Sequence, residues 1–118
     1  LNNYEFNFLD RKDINQFNLI IATLPGIIID FNKIILFSSE EKFILNPKDL
    51  IITSKNGYNI GAENNLTSFI LTSENVDEVI SFNTKNKFSN IEKLLINMKF
   101  RRANISNNKN YQSLDCIN

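Results

Sequence analysis

Short apolar runs, rich in Ile and Phe, follow one another along this chain with a turn signal after nearly every one, and that rhythm limits what it can fold into. Tyr4 to Leu9 alternates Tyr4, Phe6 and Phe8 against Glu5 and Asn7, the period of a half-buried strand. Asp10 to Asn15 is a polar break, and Phe17 to Leu24 reads as a second strand closed by a Pro25-Gly26 turn. Ile27 to Phe31 and Ile34 to Ser38, separated by Asn32-Lys33, form either a tight hairpin or one long bulged strand, with the hairpin preferred. Ser39-Glu40-Glu41 is a turn, and Lys42 to Asn46 a short strand stopped by Pro47, which has no amide to give a ladder. Asn56-Gly57 is the strongest hairpin signal, since both residues accept the left-handed backbone of a type I′ turn; it would join Asp49 to Lys55 with Tyr58 to Ile60. After a loop from Gly61 to Asn65, a further hairpin is expected between Leu66 to Thr72 and Val76 to Thr84 around Ser73-Glu74-Asn75, with a bulge near Glu78.

The pattern changes after Phe88. Ser89-Asn90-Ile91-Glu92 has the form of a capping box, and Ile91, Leu94, Leu95 and Met98 recur at the spacing of one helical face. Lys99, Arg101 and Arg102 would lie in the last turn, where cations complement the helix dipole. The spacing predicts an amphipathic helix from about Asn90 to Ala103. Residues 104–118 are polar, with Ile105, Tyr111, Leu114 and Ile117 as candidate anchors.

A chain of 118 residues with 42% hydrophobic and 22% charged content is a single globular domain, comprising a strand-rich part with its helix over residues 1–103 and a C-terminal extension over 104–118. Thirteen basic residues balance thirteen acidic ones, which argues against a nucleic-acid partner and does not favour a membrane surface. The longest apolar stretch, Leu19 to Ile29, is interrupted by Thr23, Pro25 and Gly26 and is too short to span a bilayer as a helix. No signal-peptide pattern is visible, which favours a cytoplasmic location, and the start at Leu1 suggests a piece of a longer chain. The abundance of scattered Asn, with Ile, Lys and Phe, fits an AT-rich genome. Cys116 is the single cysteine, so no internal disulfide can form.

The chain contains no histidine, the commonest general base, zinc ligand and triad member. It has no glycine-rich phosphate loop and no CxxC pair, and its three glycines, at 26, 57 and 61, sit at turns. The acids Glu40, Glu41, Glu74, Asp77 and Glu78 fall near turns and read as solvated. These features point away from an enzyme and from any cofactor or metal. They favour a module that binds another protein, through exposed strand edges among other surfaces, as part of a larger chain or as a small inhibitor or immunity-type protein. The alternative is a binder of anionic lipid or nucleic acid using Lys99, Arg101 and Arg102.

The stretch from Ser68-Phe69-Ile70-Leu71-Thr72 through Ile80-Ser81-Phe82 into Ser89-Asn90-Ile91-Glu92-Lys93-Leu94-Leu95 resembles the last hairpin and capping helix of the pleckstrin-homology-like family, in its bacterial version. The resemblance spans about Phe17 to Arg102 and is topological. It implies a mostly β, bent barrel of about seven antiparallel strands plugged by one C-terminal helix that buries Ile91, Leu94, Leu95 and Met98; the competing fold is an open antiparallel sheet packed on the same helix. The chain lacks the family's usual helical Trp, and its Pro25-Gly26 turn lacks the basic residues that hold phosphoinositides, so the resemblance favours a protein partner over a lipid.

Overall fold

Two long strands, Asn2–Ala22 (β1, 21 residues) and Asp77–Ile105 (β7, 29 residues), pair antiparallel and carry the fold. Between them the chain forms Ile27–Ser38 (β2), Lys42–Leu45 (β3), a 3₁₀ turn at Pro47–Asp49, Ile51–Ser54 (β4), Tyr58–Glu63 (β5) and Leu66–Leu71 (β6), and Leu114–Ile117 (β8) follows β7. This computed structural model describes residues 2–22, 24–63, 66–72, 77–105 and 114–117. All eight strands belong to one sheet of order β1-β7-β2-β6-β5, with β3 beside β2 and both β4 and β8 beside β7.

With β1 on one edge of β7, the opposite edge holds β4 opposite residues 80–83 and β2 opposite residues 91–102. The sheet therefore curls from β7 through β2, β6 and β5 and returns to β7 through β4. This is a barrel-like course whose last joint is the corner at residues 55–57 and not a ladder. The interior is apolar. Phe82 stacks on Phe17 at 4.7 Å between centroids and meets Phe31 edge-on at 5.2 Å, with Ile29, Ile34, Leu36, Phe69, Leu71, Ile80 and Ile96 around them. Burying each such side chain is worth about 1.5–3 kcal/mol, so this cluster is the main source of stability.

No α-helix occurs among the described residues, which overturns the helix expected over 90–103 and with it the helix-plugged barrel and the sheet-on-helix alternative. The misleading spacing has a physical origin. Leu94, Ile96 and Met98 alternate into the core, as strand residues must, and Leu95 is buried on the opposite face beside its cross-strand partner Ile35. A register shift between Phe37 and Ser38 of β2, opposite residues 91–93, brings Ile91 to the core face as well. Two-sided burial plus one bulge thus reproduces the i, i+3, i+4, i+7 pattern. Fully buried Ile96 would lie far from the apolar stripe of a helix, and it gives the strand away. The capping box is not used as a cap. Asn90 is left-handed at φ 60°, its amide donates to Asp13 Oδ1 at 3.2 Å, and Glu92 pairs with Arg11.

The same device explains β2. Asn32-Lys33 is a bulge in one continuous strand, not the turn of the preferred hairpin. Core positions change from Ile29 and Phe31 to Ile34 and Leu36 across it, so one extra residue lets two runs of opposite parity face the same interior. In β1 the polar stretch at 10–15 likewise does not interrupt the strand; it carries the register shifts between Asn7 and Gln16.

Two expected hairpins are replaced by other pairings. β4 pairs with β7 and β5 with β6, so Asn56-Gly57 turns a corner between two parts of the sheet, and neither residue has a positive φ. Glycine is needed at 57 for space: a Cβ there would lie 2.6 Å from Ile70 O and 2.6 Å from Ser54 Oγ. β6 pairs with β2 and β5 rather than with β7; the expected turn at 73–75 lies outside the described residues. The bulge expected near Glu78 is absent from the ladders of residues 77–83. The turns at Pro25-Gly26 and Ser39-Glu40-Glu41 and the stop at Pro47 stand where the sequence puts them. In the C-terminal extension, Ile105 pairs with Leu114 and Arg102 with Ile117, while Tyr111 lies outside the described residues.

Candidate interaction surface

The basic residues singled out by the sequence lie on a strand, and strand geometry divides them. Lys99 and Arg101 leave one side of β7, and Phe100 and Arg102 the other. Arg101 is committed to a carboxylate: its Nε donates to Asp30 Oδ2 at 2.6 Å and its Nη2 to Asp30 Oδ1 at 3.1 Å. Asp30 is 0% exposed and also accepts from the Ser68 hydroxyl. Burial pushes the Asp30 carboxyl upward, but the hydrogen bonds from Arg101 and Ser68 and the charges of Arg101 and Lys99 outweigh it, and the group sits below its ordinary value. Arg102 is exposed and pairs in register with Ile27. As the end of a strand, this segment has no helix dipole for the three cations to complement.

Two acids with structural roles escaped the sequence reading. Asp30 interrupts the β-branched run of β2 and was not singled out, although an acid among isoleucines is a departure that asks for a partner. Glu78, read as a solvated turn acid, is fully buried. Its Oε1 accepts from Ser54 Oγ at 2.9 Å, from the Asn56 amide at 3.0 Å and from the Val79 amide at 3.1 Å, which ties the 55–57 corner to β7. Asp13 plays a smaller part beside left-handed Asn90 of β7: the Asn90 amide and Lys87 hold its carboxyl below the ordinary value.

The surface that stands out is an edge. Among the described residues β1 has β7 as its single ladder partner, so a row of its N–H and C=O groups faces away from the sheet along its length. The other free edges among the described residues are short or interrupted; β4 and β8, each with β7 as its one ladder partner, are four residues long. β3 is four residues long and is followed by Pro47, and β5 is broken by a register shift between Asn59 and Gly61. In β1 itself, residues 2–7 carry Glu5, and residues 8–15 combine Asp10, Arg11, Lys12 and Asp13 with bulges. Residues 16–22, Gln-Phe-Asn-Leu-Ile-Ile-Ala, have none of these devices. They hold an unbroken register with residues 77–83, carry no charge, Pro or Gly, and alternate cleanly: Phe17, Leu19 and Ile21 face in, and Gln16, Asn18, Ile20 and Ala22 face out. Ile20 is 64% exposed.

Two apolar recesses flank this edge. One, of about 150 Å³, is lined by Phe6, Phe8, Phe17, Asn18 and Leu19 of β1 with Leu94 and Ile96 of β7. The other, of about 570 Å³, opens at the Pro25-Gly26 end and is lined by Ile21, Ala22, Leu24, Ile27 and Phe100. The inward row of residues 16–22 thus borders an apolar recess at each end.

Fold and surface together define an antiparallel, barrel-like β domain with one long unprotected strand edge. No protein-family model, curated protein or solved structure matches the chain.

Proposed function

We propose that this chain is a non-catalytic protein-binding module, part of a larger protein or a small inhibitor, that receives an extended strand of its partner along residues 16–22 of β1. The observation that carries this reading is the uncharged, regular and exposed edge, the longest stretch of free edge among the described residues without protective charge, bulge or proline. In strand addition the main-chain bonds supply affinity and the alternate side chains supply specificity. Here the apolar row Phe17, Leu19 and Ile21 would select alternating apolar residues in the incoming strand.

A photo-crosslinking residue placed at Asn18, with the same residue at exposed Asp49 as control, tests the proposal. A discrete protein adduct from position 18 but not from position 49 is expected. No adduct, or equal labelling at both positions, would reject the edge as the binding surface. Substrate turnover abolished by a single carboxylate substitution would reject the non-catalytic part.

A further inference from the structure

We infer that the strand received by this edge is the same strand of a second copy, so that two chains join residues 16–22 antiparallel about a two-fold axis at Leu19 and continue one sheet across the pair. This rests on the strand-addition reading and names its partner.

The register follows from the side chains. Antiparallel pairing of identical strands sets residue i opposite residue j with i + j constant. That sum must be even for core-facing residues to oppose core-facing residues. Centring on Leu19 uses all seven uncharged residues. Inside, Leu19 meets its own copy and Phe17 meets Ile21 twice; outside, Asn18 meets Ile20 twice and Gln16 meets Ala22 twice. Aromatic against β-branched is among the favourable cross-strand pairs, and no charge opposes a like charge. Centring on Asn18 or Ile20 leaves five of these seven residues of regular register overlapping and breaks both Phe17–Ile21 pairs. Because each copy presents the same patch, the contact closes on itself as a dimer and does not propagate.

The flanking space fits this occupant. The copy's Phe17 would stand opposite Ile21, beside the recess of about 570 Å³ lined by Ile21, Leu24, Ile27 and Phe100, and so bring an aromatic ring to an apolar hollow at each end of the paired strands. The charged centre of β1 lies outside the overlap. Arg11 and Asp13 are already engaged with Glu92 and Lys87 in the same chain.

Sedimentation velocity across the micromolar range, on the whole chain and two double variants, tests the pairing. The wild type should show a concentration-dependent monomer–dimer equilibrium. Asn18→Lys with Ile20→Lys sets lysine opposite lysine at two points and should raise the dimer Kd about tenfold or more. Asn18→Lys with Ile20→Glu sets lysine opposite glutamate at the same two points and should restore the dimer. In the registers centred on Asn18 or Ile20 it would instead oppose two like charges, so recovery reports the Leu19 register alone. Both positions are exposed, so unchanged thermal unfolding of either variant shows that the monomer is intact. A wild type that stays monomeric throughout overturns the inference, as does a charge-paired variant no better associated than the double lysine. A monomeric wild type whose position 18 crosslinks to a different protein rejects the second copy while leaving strand addition standing.

Discussion

Replacing Arg101 with leucine would leave the buried carboxylate of Asp30 without its cation. Asp30 is 0% exposed and Arg101 17%, and the two share two hydrogen bonds, of 2.6 and 3.1 Å. Solvent therefore screens the pair only partly. Breaking a buried pair by removing one member costs about 3–5 kcal/mol, and the partial exposure of Arg101 places this site near the lower end, about 3 kcal/mol. With a urea slope of about 1–3 kcal/mol per molar for a domain of this size, the midpoint should fall by roughly 1.5 M at neutral pH. The pH dependence identifies the cause. In the wild type the Asp30 carboxyl lies below its ordinary value, so its contribution is complete above about pH 4 and is lost as pH falls through the folded-state value. In the variant burial is opposed only by the Ser68 hydrogen bond and the Lys99 charge, and the carboxyl should rise above its ordinary value. Its penalty is then absent below about pH 4 and grows as pH rises through that range. The gap between the two proteins should be widest near pH 7 and narrow toward pH 3. Urea midpoints measured across that range decide the matter: a gap of constant size would show that lost packing of the arginine stem, and not the stranded charge, destabilises the variant.

Two further outcomes test the architecture by equilibrium unfolding. Ile96→Ala should cost about 2–5 kcal/mol, because the side chain is fully buried within the curled sheet; a near-neutral effect would restore the helical arrangement, in which this position faces away from the apolar stripe. Gly57→Ala should cost about 1–3 kcal/mol, since its Cβ would press on Ile70 O, a backbone atom that cannot swing aside; an unchanged midpoint would mean that the 55–57 corner is looser than its contacts imply.

Strand character was legible wherever burial is one-sided and the parity constant, as in residues 16–22, whose alternation reads directly from the sequence. It became illegible where both faces of a strand are covered or a bulge shifts the phase. Residues 91–98 mimic a helix for this reason, and Asn32-Lys33 mimics a turn. Asn56-Gly57 shows a different limit. A turn signal reports that the chain changes direction, while the partner of each flanking strand is set by what else is within reach, here β7 and β6. The candidate site divides in the same way. The apolar, uncharged composition of residues 16–22 was visible, but that this stretch lies at the rim of the sheet was not.

By itself, then, the sequence determined that much of the chain builds an antiparallel sheet, because period-2 runs and turn residues act over a few neighbours and need no tertiary partner; the C-terminal helix it predicts does not form. It also determined that histidine chemistry and a large net charge are unavailable to the chain, since both are properties of composition. Only the tertiary structure decided that residues 90–103 are strand. Helix and strand could each bury Ile91, Leu94, Leu95 and Met98, and the choice falls to the ladders offered by β1 and β2, which satisfy the backbone of β7 on both sides while burying Ile96 as well. The same closure left β1 with one neighbour among the described residues, and so decided where the longest open edge lies.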